Sequence, residues 1–328
     1  MLIDRFGRQV TYLRVSVTDR CNLRCVYCMP PEGITWKEHN SILSYEEIIE
    51  VVKAAAQEGV YGVRLTGGEP LVRRDLPDLV RAVAAVPGIR DVSLTTNAIL
   101  LECMAAELAE AGLKRINVSL DSLKPELFAR ITRGGSLEKV MRGIRAAENA
   151  GMRPIKVNAV IMRGVNDEEL ESLALLTMEN DWHVRFIEIM PVRNQAPWGE
   201  GFPDPVLAYY PVHDMKMRLE PLGLHPVHHM EGQGPAELYQ LQGAKGVIGL
   251  ISPIGQKFCE KCNRLRLTAD GTLRPCLLTD NEISVLPTLR AGGDITALLR
   301  EAVLQKPEGH ELEAQHSPNG RCMIQIGG

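Results

Sequence analysis

The sequence predicts an α/β protein: an incomplete (β/α)6 barrel of the TIM type, followed by a smaller C-terminal domain. Three observations support this fold class. The 328 residues exceed one typical domain. From residue 11 to about 190, short apolar runs alternate with amphipathic segments, which is typical of repeated βα units around a parallel sheet. After Pro191 the composition changes, and proline and glycine become frequent.

Six short apolar runs are the predicted barrel strands. They are rich in Val, Ile and Leu, as strands covered on both faces of a parallel sheet should be. The runs are Tyr12 to Val17, Val60 to Thr66, Val92 to Thr96, Arg115 to Leu120, Ile155 to Ile161 and Val184 to Met190. Six βα units are too few to complete an eight-stranded barrel.

Helices are predicted between these strands. Ser44 is a candidate N-cap with Glu46 and Glu47 in the first turn, and Gly59 marks the end of that helix. Apolar residues at helical spacing follow the cap. The same reading predicts helices over residues 75–86, 101–111, 136–150 and 167–180.

Polar residues follow five of the six predicted strands. In parallel βα architectures the reactive groups collect at the carboxyl ends of the strands. A single Thr or Asp at such a position is more often a turn former or a helix cap. Their recurrence on five strands favours a functional site. The segments are Thr18-Asp19, Thr66-Gly67-Gly68-Glu69-Pro70, Thr95-Thr96-Asn97, Ser119-Leu120-Asp121 and Glu188-Ile189-Met190.

The first predicted strand is followed by Cys21, Cys25 and Cys28 in the spacing CxxxCxxC. Iron–sulfur clusters and structural zinc sites ordinarily take four protein ligands, so three thiolates leave one metal position open. An open iron can bind a substrate or a cofactor. A disulfide and a zinc knuckle with a distant fourth ligand are the alternatives.

A second group of three cysteines lies near the C-terminus. Cys259 and Cys262 form a CxxC, and Cys276 closes a predicted hairpin whose turn is Asp270-Gly271. Zinc with a fourth ligand competes with an iron–sulfur cluster here. Arg264 and Arg266 are expected on one face of the first hairpin strand, where their guanidinium groups suit a phosphate.

The segment between Pro191 and about Pro235 is predicted to be a linker with one embedded helix. It contains His225, His228 and His229, whose spacing matches no metal motif, so a solvated loop is the preferred interpretation. Outside the two groups stand Cys103, expected to pack in the interior, and Cys322, expected in the C-terminal tail.

Composition argues against nucleic-acid and membrane proteins. The formal charge is -4 and aromatic residues make up 5%, so there is no general basic surface for a nucleic acid. The N-terminus lacks the apolar core of a signal peptide, and no run of 18 apolar residues occurs. We therefore expect a cytoplasmic protein that binds neither membranes nor nucleic acids.

The CxxxCxxC motif followed by Gly67-Gly68-Glu69-Pro70 is similar to that of the radical S-adenosylmethionine (AdoMet) superfamily. With the segment 259–267 (CEKCNRLRL), Cys276 and the terminal Gly327-Gly328, essentially the whole chain resembles the GTP 3′,8-cyclase family. The resemblance implies a radical AdoMet partial barrel over residues 1–230 and an auxiliary-cluster domain over residues 231–328 that binds a [4Fe–4S] cluster and GTP.

The resemblance also implies roles for individual residues. Cys21, Cys25 and Cys28 would hold the AdoMet cluster, and Cys259, Cys262 and Cys276 the second [4Fe–4S] cluster, whose open iron faces the guanine. AdoMet would be contacted by Tyr27, Gly68, Ser119 and Met190. GTP would be bound by Arg14, Arg64, Thr95, Lys156, Arg264, Leu265 and Arg266. Arg185 and the terminal Gly327 and Gly328 are additional candidates. Ala98 departs from the glycine usual in the family.

The implied activity is conversion of GTP to (8S)-3′,8-cyclo-7,8-dihydroguanosine 5′-triphosphate, the first step of molybdenum cofactor biosynthesis. A 5′-deoxyadenosyl radical would remove the ribose C3′ hydrogen. Implied partners are an electron donor such as a flavodoxin and the synthase that makes cyclic pyranopterin monophosphate, and a homodimer is possible. The alternatives are a peptide-modifying radical AdoMet enzyme with an auxiliary cluster and a zinc-stabilised nucleic-acid-binding module.

Overall fold

A computed structural model describes residues 1–190, 198–227, 234–256, 258–310 and 321–327. Its described strands form one sheet in the order β12-β11-β10-β1-β2-β3-β4-β5-β6-β9-β8-β7. The strands are β1 Tyr12–Ser16, β2 Gly62–Thr66, β3 Asp91–Thr96, β4 Arg115–Ser119, β5 Ile155–Ile161, β6 His183–Glu188, β7 His225–Pro226, β8 Glu237–Gln240, β9 Val247–Ile251, β10 Arg264–Leu267, β11 Thr272–Arg274 and β12 Ile283–Ser284.

The six predicted barrel strands are confirmed as β1 to β6, paired in parallel and in chain order. Two strands from the C-terminal third extend this parallel sheet at its two edges. β10 pairs with β1, placing Leu265 opposite Leu13, and β9 pairs with β6, placing Ile251 opposite Ile187. Within the described residues β9 and β10 do not pair with each other, so the barrel stays open.

The helices lie between the strands as the periodicity predicts. Ser44 and Glu47 form the capping box that begins α1, each side chain accepting from the other's backbone N–H. α4, α8 and α9 were not predicted. The helices are α1 Tyr45–Gln57, α2 Leu76–Ala84, α3 Ala105–Glu110, α4 Pro125–Thr132, α5 Leu137–Asn149, α6 Leu170–Glu179, α7 Val212–Leu219, α8 Leu286–Arg290 and α9 Ile295–Leu304.

Side chains alternate along each strand between the outer helices and the barrel interior. In β2, Val63 and Leu65 are fully buried in the hydrophobic core, whereas Arg64 between them faces the interior cavity. β1 repeats this arrangement with Leu13 and Val15 around Arg14. The apolar core therefore lies between sheet and helices, and the barrel interior is polar.

No helix among the described residues is long and apolar enough to cross a membrane. The C-terminal strands continue the barrel sheet, with β10, β11 and β12 on one side and β9, β8 and β7 on the other. The division of the chain at residue 230 stays a prediction.

Candidate active site

One cavity opens at the carboxyl ends of the parallel strands, and all six grouped cysteines line it. Most of the other predicted site residues line the same cavity. They are Tyr27, Gly68, Ser119, Met190, Arg14, Arg64, Thr95, Arg185, Arg264, Arg266 and Gly327. The fold thus brings together the ends of the chain and the rim of the barrel in a single site.

The first cysteine motif forms a loop between β1 and α1. All eight cysteines of the chain are free, so the structure contains no disulfide. Burial raises the pKa of Cys21 to about 11 and also raises the pKa values of Cys25 and Cys28. The free thiols are therefore protonated near neutral pH, and metal binding must displace their protons.

Gly67 and Gly68 bring the loop after β2 against this cysteine loop. The Gly68 N–H donates to the Thr18 carbonyl at 2.8 Å, and the Glu69 N–H donates to the Arg20 carbonyl at 2.8 Å. A Cβ on Gly68 would lie 2.3 Å from the Arg20 carbonyl oxygen. Glycine is therefore required for the contact between the two loops, in addition to any approach to a ligand.

Buried carboxylates on the rim accept hydrogen bonds from uncharged groups. Glu69 accepts from the Thr96 hydroxyl at 2.7 Å and the Asn97 N–H at 2.6 Å. Asp121 accepts from the Tyr27 hydroxyl at 2.6 Å. Burial raises the pKa of Glu69 to about 7 and that of Asp121 to about 6. Within the described part of the chain neither acid forms an ion pair with a cation of the cavity, and both are partly protonated near neutral pH.

Ala98 follows this rim segment and has a φ of 60°, in the left-handed region. A non-glycine residue rarely adopts that conformation. The local backbone therefore keeps a geometry that glycine favours, although alanine occupies the position.

Cationic side chains outnumber carboxylates around the cavity. Among the described residues that line it, seven are arginine or lysine (Arg8, Arg14, Arg64, Arg185, Arg264, Arg266 and Lys306) and three are carboxylates (Glu69, Asp121 and Glu188). Burial and neighbouring arginines lower the pKa of Arg266 to about 10 and that of Arg185 to about 9. Mutual repulsion of this kind is relieved when an anion binds.

Several buried polar atoms in this region form no hydrogen bond with any described residue. They include Nε of Arg14 and Arg185 and the Thr95 hydroxyl, together with the side-chain oxygens of Asn117 and Asn158. Leaving such groups unpaired costs about 1–3 kcal/mol each. The interior is therefore prepared for a polar, anionic ligand.

The second cysteine group flanks the β10–β11 hairpin at the same cavity, with Cys259 and Cys262 before β10 and Cys276 after β11. The cavity is lined by Arg264 and Arg266, as the two-residue alternation predicts, while Leu265 between them is fully buried in the hydrophobic core. Burial opposes ionisation of Cys262, but Arg264 and Lys306 lower its pKa to about 7. This thiol therefore ionises more readily than that of Cys259, whose pKa is raised by burial.

In the part of the chain that the structure describes, no three His, Cys, Asp or Glu side chains converge closely enough to hold a single metal ion. The thiolates of a four-iron cluster bind separate irons, so they surround a volume instead of meeting at one point.

Lys156 lies near the amino end of β5, opposite His183 at the start of β6, and does not line the cavity. It is 2% exposed. Burial, then Arg185, Arg115 and Arg64, lower its pKa to about 6. Leu265 likewise does not line the cavity with its side chain, because strand alternation turns it towards the core. Lys156 and Leu265 are thus the two predicted GTP-binding residues that do not line the cavity.

The C-terminal tail returns to the barrel. The Gly327 carbonyl accepts hydrogen bonds from the Thr66 hydroxyl at 3.2 Å and from Nη1 of Arg266 at 3.4 Å. Gly328, the other predicted tail residue, lies outside the described residues. The tail therefore connects a barrel strand with the arginines of the C-terminal hairpin.

Some sequence expectations do not fit this arrangement, and some residues were missed. Cys103 is exposed, so the expectation that it packs in the interior is wrong. His225 is exposed on β7, and His228 and His229 lie outside the described residues.

Arg8, Lys306 and His310 line the cavity but belong to no motif. Only the fold brings their distant positions to the second cysteine group.

Comparisons with known proteins place the chain in a family. Residues 15–177 match the model of the Radical SAM superfamily, and residues 182–312 match that of Molybdenum Cofactor Synthesis C. A GTP 3′,8-cyclase of Pelotomaculum thermopropionicum is 48% identical over 332 residues, covering 99% of both chains. One of Peptoclostridium acidaminophilum is 46% identical over 329 residues, covering 100% of this chain and 98% of that protein. The chain belongs to the GTP 3′,8-cyclase family.

Solved structures share the fold of this GTP 3′,8-cyclase family member at much lower identity. Streptococcus suis SuiB bound to S-adenosylmethionine has a TM-score of 0.63 at 15% identity, covering 92% of this chain and 73% of that one. The anSMEcpe structure with bound AdoMet has a TM-score of 0.57 at 14% identity, covering 93% and 82%. These similarities support the incomplete radical AdoMet barrel.

The residues present fit the cofactors of the GTP 3′,8-cyclase family, two [4Fe–4S] clusters and S-adenosylmethionine. Each cysteine group supplies three free thiols to one cavity, which leaves one iron of each cluster open. The unpaired polar atoms of Arg14, Thr95, Asn158 and Arg185, which line the same cavity, suit a nucleotide.

Proposed function

We propose that this chain converts GTP to (8S)-3′,8-cyclo-7,8-dihydroguanosine 5′-triphosphate, the first step of molybdenum cofactor biosynthesis. The observation that carries the proposal is that two groups of three free cysteines line one cavity, which the buried side chains of Arg185 and Arg266 also line. Relatives 43–48% identical over nearly the whole chain are GTP 3′,8-cyclases, which supports it.

In this proposal Cys21, Cys25 and Cys28 hold the AdoMet cluster. Tyr27, Gly68, Ser119 and Met190, all at the cavity, contact AdoMet. Cys259, Cys262 and Cys276 hold the second cluster next to the guanine. When bound and reduced, the first cluster with AdoMet supplies a carbon-centred radical that removes the ribose C3′ hydrogen.

The protein's own contribution is to bind and orient GTP. Arg14, Arg64, Arg264 and Arg266 provide guanidinium groups at the cavity, where phosphate oxygens accept paired hydrogen bonds. Arg185 adds charge, and the unpaired Thr95 hydroxyl adds a polar contact. Holding C3′ and C8 in a fixed arrangement favours ring closure over reaction with solvent.

Lys156 contributes to phosphate binding from below the cavity. Its ammonium group is favoured once a triphosphate offsets the surrounding arginines. Leu265 contributes through packing, because its buried side chain fixes the strand that carries Arg264 and Arg266.

The proposed reaction also requires an electron donor and an enzyme that uses the product. We propose that the enzyme works in the cytoplasm as a homodimer and receives electrons from a small donor such as a flavodoxin. Its product passes to the synthase that makes cyclic pyranopterin monophosphate. No contact with nucleic acid or membrane is required.

An anaerobic assay with GTP, AdoMet and a reductant tests the proposal. We expect cyclised nucleotide, methionine and 5′-deoxyadenosine, with iron and sulfide for two four-iron clusters. AdoMet cleavage without GTP cyclisation would instead favour the peptide-modifying alternative. Zinc in place of iron at Cys259, Cys262 and Cys276 would contradict the second cluster.

A further inference from the structure

Residues 306–310, here called the KPEGH segment, follow α9 and pack against the second cysteine group. Lys306 is 4% exposed. Its ammonium group donates to the Cys262 sulfur at 3.4 Å, the Arg264 carbonyl at 2.8 Å and the Pro275 carbonyl at 3.0 Å. These three acceptors match the three N–H bonds of an ammonium group.

None of these three acceptors is a carboxylate. A buried ammonium is costly unless a negative charge lies nearby. Within the described residues Lys306 forms no ion pair with Asp or Glu. The acceptor that becomes anionic is the Cys262 sulfur, once it binds iron as a thiolate. Lys306 is therefore placed to stabilise negative charge on the second cluster.

The rest of the KPEGH segment holds Lys306 in place. The His310 ring hydrogen-bonds with the Pro253 carbonyl at 2.6 Å through Nε2. Arg8 donates from Nη1 to the carbonyls of Glu308 at 2.9 Å and Cys259 at 2.7 Å. The segment is thus fixed directly to Pro253 and, through Arg8, to Cys259, which restricts movement of Lys306 away from the sulfur.

The first cysteine group has a different environment. The Cys21 sulfur accepts from the Leu23 backbone N–H at 3.4 Å and from the Asn97 amide at 3.9 Å. Both donors are uncharged. Among the residues that the structure describes, a buried cation therefore donates to a ligand sulfur in the second group and not in the first.

We propose that Lys306 is a positioning residue that sets the reduction potential of the second cluster, favouring its reduced state through the hydrogen bond to Cys262. This inference rests on the proposed function, because it requires a cluster at Cys259, Cys262 and Cys276. Adding one electron makes the cluster more negative by one charge. A hydrogen bond from a cation to a ligand sulfur stabilises that added charge.

The test is an anaerobic redox titration followed by electron paramagnetic resonance. It uses the full chain with Cys21→Ser, Cys25→Ser and Cys28→Ser, so that only the second cluster is observed. In that background Lys306→Met removes charge and donor, Lys306→Gln removes the charge alone, and Lys306→Arg keeps both. Lys245→Met is the control, since Lys245 donates to the Glu179 carbonyl at 3.1 Å and is exposed.

We expect Lys306→Met to disfavour reduction at least tenfold, a shift of about 59 mV to more negative potential for one electron. Lys306→Gln should be intermediate, and Lys306→Arg and Lys245→Met should retain the parent potential. An intact cluster with unchanged potential in Lys306→Met would overturn the proposal. Loss of the cluster in Lys306→Met alone would also overturn it, because it assigns Lys306 to assembly. A parent chain without a second cluster would refute the proposed function itself.

Discussion

The Thr66 hydroxyl donates a hydrogen bond of 3.2 Å to the Gly327 carbonyl, joining the end of a barrel strand to the C-terminal tail. Gly327 has a φ of 74°, and a Cβ there would lie 2.6 Å from the Thr66 Oγ1 atom. The last described residue of the chain therefore fits the barrel only without a side chain. The same carbonyl accepts from Arg266, so the tail lies beside the proposed phosphate-binding arginines.

Replacing Gly327 by Ala should displace the tail. An alanine in the left-handed region costs about 1–2 kcal/mol, before any contact with Thr66. We expect GTP cyclisation to fall by roughly tenfold or more, as a cost of 1.4 kcal/mol or greater implies. Both clusters should remain. Gly292→Ala is the matched control, because Gly292 also has a positive φ, 68°, but has no atom within 4 Å of a Cβ.

For Gly327→Ala, the amount of cyclised product and the iron content are measured on the same protein preparation. Deleting Gly327 and Gly328 should have the same effect as the substitution. A fully active truncated enzyme would mean that the tail contact has no catalytic importance.

Replacing a single cysteine by serine should disable one cluster and leave the other intact. Cys25→Ser should abolish 5′-deoxyadenosine formation, since a hydroxyl is a poor iron ligand. Cys276→Ser should damage the second cluster and GTP binding while the first cluster assembles normally. Iron analysis and AdoMet cleavage assays on both variants test this. Loss of both clusters in either variant would contradict two independent sites.

Removal of the Arg266 guanidinium should weaken GTP binding. A charge-assisted hydrogen bond contributes about 1.5–3 kcal/mol, which is roughly one to two decades of affinity. Arg300→Ala is the control, since Arg300 pairs with Glu58 at 2.7 Å and its side chain is 61% exposed. The test measures GTP binding directly for Arg266→Ala and Arg300→Ala preparations whose clusters are intact. Equal affinities of the two variants would show that Arg266 does not bind GTP.

GTP binding should depend on pH through Lys156. Burial and nearby arginines lower the pKa of Lys156 to about 6, so the free protein carries a neutral amine above that pH. If a triphosphate requires the ammonium form, binding takes up a proton. The affinity advantage of the native chain over Lys156→Met should then decrease as pH rises above 6, by up to about tenfold per unit.

Calorimetry in buffers of different ionisation enthalpy measures the proton uptake linked to Lys156. His183 does not interfere in this range, because burial, Lys156 and Arg185 lower its pKa to about 4. If the ratio of the GTP affinities of the native chain and Lys156→Met stays constant between pH 6 and 8, Lys156 does not change its protonation when GTP binds.

Gly68→Ala should impair assembly of the first cluster. The added Cβ would lie 2.3 Å from the Arg20 carbonyl oxygen, so the loop that carries Cys21 must move. The second cysteine group, on other elements, should still bind its cluster. Gly164→Ala is the control, because a Cβ there meets no atom within 4 Å. Its φ of 72° adds a backbone cost that is absent at Gly68, whose φ is not in the left-handed region, so the control tests whether a glycine-to-alanine change without the loop contact spares the cluster. Normal AdoMet cleavage by Gly68→Ala would show that the contact between the two loops does not require glycine at this position.

Much of this protein is determined by its sequence alone. Periodicity defines the strands, since a buried parallel strand needs a short run of apolar residues, as in Ile155–Ile161. The helix cap at Ser44 is likewise local, because its hydrogen bonds involve residues three apart. Cysteine spacing points to two open metal sites, because ligand number and spacing determine which metal centres can form.

Only the tertiary structure decides which distant residues meet. The pairing of β10 with β1 brings Arg266 beside Arg14, an arrangement that no local pattern contains. Lys306 acquires its contact with Cys262 because α9 returns the chain to the second cysteine group. Lys156 does not line the cavity because it lies near the amino end of β5, a position that depends on the pairing of β5 with β4 and β6.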